Sequence, residues 1–132
     1  MILMFFWVIR GQIYKNLLKE AEDNSLPFYF DEKKGERPIQ FIENFCKQAE
    51  GEIGKPIKLE LFQKAYIQAL FGFLYKETKT RRFNETLFLV GRKNGKTTLL
   101  SAIALYMMIA DGEGGAECYS VATKKDQASK SF

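Results

Sequence analysis

Histidine is absent from this 132-residue chain, and cysteine, proline and tryptophan are scarce, at two, three and one residues. Without histidine there is no Ser-His-Asp arrangement, no imidazole acid–base pair and no histidine-containing zinc site. Cys46 and Cys118 lie too far apart in sequence for a metal-ligand pair and are too few for a disulfide framework. Reduced thiols in an intracellular chain are therefore expected. Long hydrophobic runs are missing too. The wholly apolar opening, residues 1–9, stops at Arg10, whereas a membrane span needs about 20 such residues. A secretory signal needs a basic region before its apolar core and small residues at the cleavage site, and neither is present. This segment is expected to be buried against the rest of the protein, or to lie upstream of the true start, and no membrane is implied.

What is present is ordinary for a globular chain: 46% apolar and 27% charged residues, enough for one domain at most. The net charge of +4 is unevenly placed. Lys76, Lys79, Arg81, Arg82, Arg92, Lys93 and Lys96 face two nearby acids, Glu77 and Glu85, and the remainder is nearly neutral. A short basic stretch of this kind suits a phosphate-bearing ligand, whereas a nonspecific polyanion binder is usually basic along a whole face. Residues 76–82 alone read as a solvated loop.

Apolar periodicity organises the chain. Ile13, Tyr14, Leu17, Leu18 and Ala21 recur at helical spacing over residues 11–21. After a loop through Asn24, Ser25 and Pro27, a second helix is predicted from Pro38 through Phe41, Ile42, Phe45 and Cys46, with proline in its first turn. Gly51, Gly54 and Pro56 break the chain. Leu59, Phe62, Tyr66, Ala69, Leu70 and Phe73 nearly encircle a third helix, which predicts burial. Residues 86–90 form a short apolar run ending at Gly91, the pattern of a strand buried on both faces. Residues 97–110 read as another buried helix, and residues 117–122 as a second strand, before a capping pair at residues 123–126 opens a helix. Strand, long helix, strand implies a parallel pair with a crossover, hence an α/β fold.

The turn between the first strand and its helix carries the chemistry: Gly91-Arg92-Lys93-Asn94-Gly95-Lys96-Thr97-Thr98. A phosphate-binding loop needs backbone amides around a concavity, glycine where a side chain would obstruct, and the positive end of a helix behind it. In that arrangement Lys96 reaches the β- and γ-phosphates, and the Thr97 hydroxyl ligates Mg²⁺. Val90 occupies the place of the first glycine in G-x-x-x-x-G-K-[ST], with Gly91 one position later. Arg92 is a candidate clamp on the γ-phosphate, its alternative being a solvent-facing arginine. Gln63 offers a donor beside an acceptor, matching adenine N7 and N6, although a helical glutamine is more often a surface residue.

Leu59-Glu60-Leu61-Phe62-Gln63, Leu70-Phe71-Gly72-Phe73, the Gly91–Thr97 loop and Val121-Ala122-Thr123-Lys124-Lys125-Asp126-Gln127-Ala128 together resemble the large terminase subunit of tailed bacteriophages. The upstream segments Phe41-Ile42-Glu43-Asn44-Phe45 and Gly51-Glu52 are similar to that family's N-terminal helical region. The resemblance implies a P-loop ATPase domain, incomplete here, over residues 59–132, preceded by a helical region over residues 1–58. It places Gln63 at the adenine-recognition glutamine, Lys96 and Thr97 at the Walker A pair, and Arg92 at a γ-phosphate sensor. It implies ATP and Mg²⁺ as cofactors, with double-stranded DNA, a small terminase subunit and a portal as partners in the bacterial host cytoplasm. Family members package DNA and cut it with a metal-dependent nuclease; the Walker B strand and nuclease are expected beyond Phe132, so this chain alone is expected to be inactive. Two other readings stand beside it: a helicase-like P-loop ATPase, and a non-catalytic prophage remnant.

Overall fold

The computed structural model describes residues 2–6, 10–48, 51–91 and 95–121. These form a mixed helix–strand chain with four helices and two small sheets among the described residues. The chain divides into two compact units. Residues 1–40 and 58–91 make the first, and residues 41–57 and 92–132 the second.

In the first unit, α1 (Arg10–Glu22) presents Leu17 to the core, as its spacing predicts. It packs on α3 (Leu61–Gly72), whose Phe62, Tyr66, Ile67, Ala69 and Phe71 are buried. The Tyr14 hydroxyl donates to Gln68 Oε1 at 2.6 Å, and Gln68 Nε2 donates to Glu36 Oε2 at 3.2 Å, tying three helices together. Desolvation, reinforced by the negative charges of Glu32 and Glu36, raises the Tyr14 pKa above the usual phenol value.

Two strands escape the sequence pattern. β2 (Phe28–Phe30) pairs antiparallel with β3 (Phe73–Tyr75), Phe30 facing Phe73 with ring centroids 4.9 Å apart. Three-residue strands are too short to show a period of two. The strand predicted at residues 86–90 is β4 (Glu85–Leu89). It is not buried on both faces, since Leu87 and Leu89 are exposed. Its partner is β1 (Ile2–Phe6), in parallel register from Ile2 opposite Glu85 to Phe6 opposite Leu89. The apolar opening thus supplies the neighbour expected from residues 117–122. Residues 117–121 adopt no regular structure, because a strand exists only where another backbone completes its hydrogen bonds.

Helix α2 (Glu32–Phe45) begins six residues before Pro38, which is interior and buried rather than in the first turn. The missed start signal is Asp31, whose Oδ1 accepts the Lys34 amide hydrogen at 3.2 Å. The loop at residues 76–82 is not simply solvated either. Arg82 is buried, pairs with Glu20 at 2.8 Å and lies over the Phe28 ring at 3.9 Å. Lys79 lies over Tyr29 and Arg81 over Phe71. Aromatic rings of β2 and of α3 thus hold cations that the sequence reads as solvated.

In the second unit, the end of α2 brings Phe41 against Tyr106 of α4 (Lys96–Ile109), with centroids 5.5 Å apart. Leu99, Ala102, Ile103 and Tyr106 form one buried stripe of α4, while Leu100, Leu105, Met108 and Ile109 are exposed. The all-round apolar sequence predicts burial on every side, but the described residues cover one face. Gly51 and Gly54, with φ of 76° and 83°, turn the segment between α2 and α3 back so that Gln48 and Lys55 hydrogen-bond. Among the described residues no helix is long and apolar enough to cross a membrane.

Candidate functional site

The start of α4 has the form of an anion site. Gly95, its N-cap, has φ 67° and ψ 20°, the left-handed conformation that side chains with a Cβ rarely adopt. The Leu99 amide donates to the Gly95 carbonyl at 2.9 Å. The amides of Lys96, Thr97 and Thr98 precede that bond and so have no acceptor four residues back within the helix. Among the described residues no side chain caps this end, and the first turn carries no acid to offset the helix dipole. Lys96 and Thr97 are exposed, Thr98 is half-buried, and Leu99, 2% exposed, anchors the turn below them. Gly91, two residues beyond β4, is exposed. Arg92, Lys93 and Asn94 lie outside the described residues, as do residues 123–128.

Gln63 belongs to the other unit. It is 8% exposed, so the surface-glutamine alternative fails. Its Oε1 accepts the Glu60 backbone N–H at 2.9 Å, in a capping box at the start of α3. The E-x-x-Q spacing of Glu60 and Gln63 was the sequence signal for that cap. Tyr66, one turn later, carries a hydroxyl whose pKa is raised by burial. Nothing in the apolar periodicity singles out the stacking of its ring on Phe88 of β4.

The ATPase domain of the terminase large subunit matches residues 61–132, more than half of the chain. The chain belongs to this family. Over 101 residues it is 34% identical to the terminase, large subunit, of Enterobacteria phage HK97, a match covering 75% of this chain and 19% of that protein. This terminase-family chain therefore spans about a fifth of the length of that relative. No solved structure matches it. The residues of the family match include Gln63, β4, the Gly91–Thr98 loop sequence and α4.

Proposed function

We propose that this terminase-family chain binds Mg·ATP through residues 91–98 as part of a P-loop ATPase domain over residues 59–132, with residues 1–58 as a helical region before it. The observation that carries the proposal is the open start of α4: a left-handed glycine, three amides beyond the reach of the helix's own acceptors, and an exposed lysine and threonine beside them. Backbone N–H groups and the helix dipole attract phosphate oxygens. The Lys96 ammonium adds a full charge at the same end, and the Thr97 hydroxyl is the oxygen ligand available for Mg²⁺. Mg²⁺ supplies charge neutralisation across the β- and γ-phosphates. Arg92 is proposed as the γ-phosphate contact, Lys93, Asn94 and Gly95 as backbone contacts, and Gln63 as the contact to the base.

The family match sets the context. We propose DNA packaging by a tailed phage as the process served, with double-stranded DNA, a small terminase subunit and a portal as partners in the host cytoplasm. The match also favours this reading over a helicase-like ATPase.

Titration of the chain with Mg·ATP, monitored by calorimetry, tests the binding proposal. A charge-assisted contact contributes about 1.5–3 kcal/mol, so Lys96→Ala is expected to weaken binding at least about tenfold. Equal affinity of wild type and Lys96→Ala would contradict the assignment.

A further inference from the structure

A backbone N–H can only donate, so the atom of the Gln63 carboxamide facing the Glu60 amide at 2.9 Å is its oxygen. That single bond fixes which way round the amide lies. With Oε1 committed, the NH₂ group and the second lone pair of Oε1 form the remaining edge, and among the described residues no other hydrogen bond to this carboxamide is formed. Gln63 is also nearly buried, which restricts rotation of its side chain. We infer that the Glu60 backbone amide is a positioning group for purine selection: it locks the Gln63 carboxamide in the orientation that accepts adenine and opposes guanine.

The inference rests on the proposed contact between Gln63 and the base, and it adds a direction. Both purines carry an acceptor at N7, but adenine presents a donor at the exocyclic position where guanine presents the O6 acceptor. A locked amide donates from Nε2 to N7 and accepts from the adenine amino group. With guanine the same amide keeps the N7 bond but sets Oε1 against O6. A freely turning amide spends part of its time with its ends exchanged, where adenine meets donor against donor and acceptor against acceptor. For guanine the two orientations are equivalent in count, one attraction and one repulsion each. Unlocking therefore weakens ATP binding and leaves GTP binding almost unchanged.

Glu60 allows side chain and N–H to be separated. Its φ of −72° lies close to the value proline imposes, and it stands outside the helix as N-cap, so Glu60→Pro removes the N–H without demanding a new backbone. Glu60→Ala removes the carboxylate and keeps the N–H. The experiment is equilibrium titration of Mg·ATP and Mg·GTP against wild type, Glu60→Ala, Glu60→Pro and Gln63→Ala, with helix content checked by circular dichroism. By halving the competent fraction of amide orientations, Glu60→Pro is expected to lower the ATP:GTP affinity ratio by up to about twofold through ATP alone, and Glu60→Ala to retain the wild-type ratio. Equal weakening of both nucleotides by both Glu60 variants would make the contact a helix cap and overturn the inference. A wild-type ratio in Gln63→Ala, with binding still dependent on Lys96, would instead remove the base contact on which it rests. Hydrogen exchange of the wild-type Glu60 amide gives a check that needs no variant: exchange stays slow when ATP is bound, and faster exchange on adding ATP would overturn the lock.

Discussion

Tyr66 of α3 stacks on Phe88 of β4, with ring centroids 4.3 Å apart and planes inclined by 22°. Tyr66 is fully buried. The helix bearing Gln63 and the strand leading to Gly91 are therefore joined by a ring stack within one compact unit.

Removing the ring should cost far more than removing the hydroxyl. Tyr66→Ala is expected to destabilise by about 3–5 kcal/mol, the range for aromatic-to-alanine changes in packed cores. Tyr66→Phe, which keeps the stacked ring, should cost less than about 1.5 kcal/mol. Urea denaturation of the two variants measures both; similar losses would mean that the stack contributes little.

Two glycines on facing helices should respond with opposite signs. A Cβ at Gly72 would lie 2.5 Å from Cε2 of Phe30, a ring already packed on Phe73, so Gly72→Ala is expected to cost about 1–3 kcal/mol. At Gly35 the nearest atoms to an added Cβ, in Gln68 and Gly72, are 3.5 Å away, an ordinary contact. Gly35→Ala should therefore stabilise α2 by about 0.5–1 kcal/mol, the helical preference of alanine. Thermal melting compares them, and a loss in Gly35→Ala would show that α2 and α3 need the bare backbone there.

Stability should fall as pH rises above about 10, the ordinary phenol value. Burial and the nearby Glu32 and Glu36 carboxylates raise the folded-state pKa of Tyr14, so the unfolded chain loses its proton first and is stabilised relative to the folded one. The contribution is whole below that value and is lost as pH climbs towards the raised folded-state pKa. Tyr66 is shifted in the same direction. Tyr14→Phe should lose the 2.6 Å bond to Gln68 at every pH and reduce the alkaline slope. Denaturation at pH 9 and pH 10.5 checks this, and an unchanged slope would assign the alkaline loss elsewhere.

Helices α1, α3 and α4 were legible because their apolar spacing extends over several turns. The boundary at Lys96 was legible because a glycine followed by lysine and two threonines separates an apolar run from a long apolar helix. β2 and β3 were not, being three residues each, and their pairing joins positions more than forty residues apart in sequence. The role of residues 1–9 was half legible. Their apolar character argued for packing, but pairing of Ile2–Phe6 with β4 depends on a partner over eighty residues away. At the candidate site, the family resemblance rather than spacing singles out Gln63, while its burial and its bond to Glu60 need coordinates. Arg82 was misread for a related reason: charge is visible in sequence, but the rings that enclose it are not.

The central claim is that the amides opening α4 receive phosphate. Backbone amide chemical shifts of ¹⁵N-labelled protein, recorded during titration with Mg·ATP, test it most directly. The largest changes are expected on Gly95, Lys96, Thr97 and Thr98, and in Lys96→Ala they should need at least about tenfold more nucleotide. Saturable binding of Mg·ATP that leaves those four amides unmoved, with the changes gathered elsewhere on the chain, would contradict it.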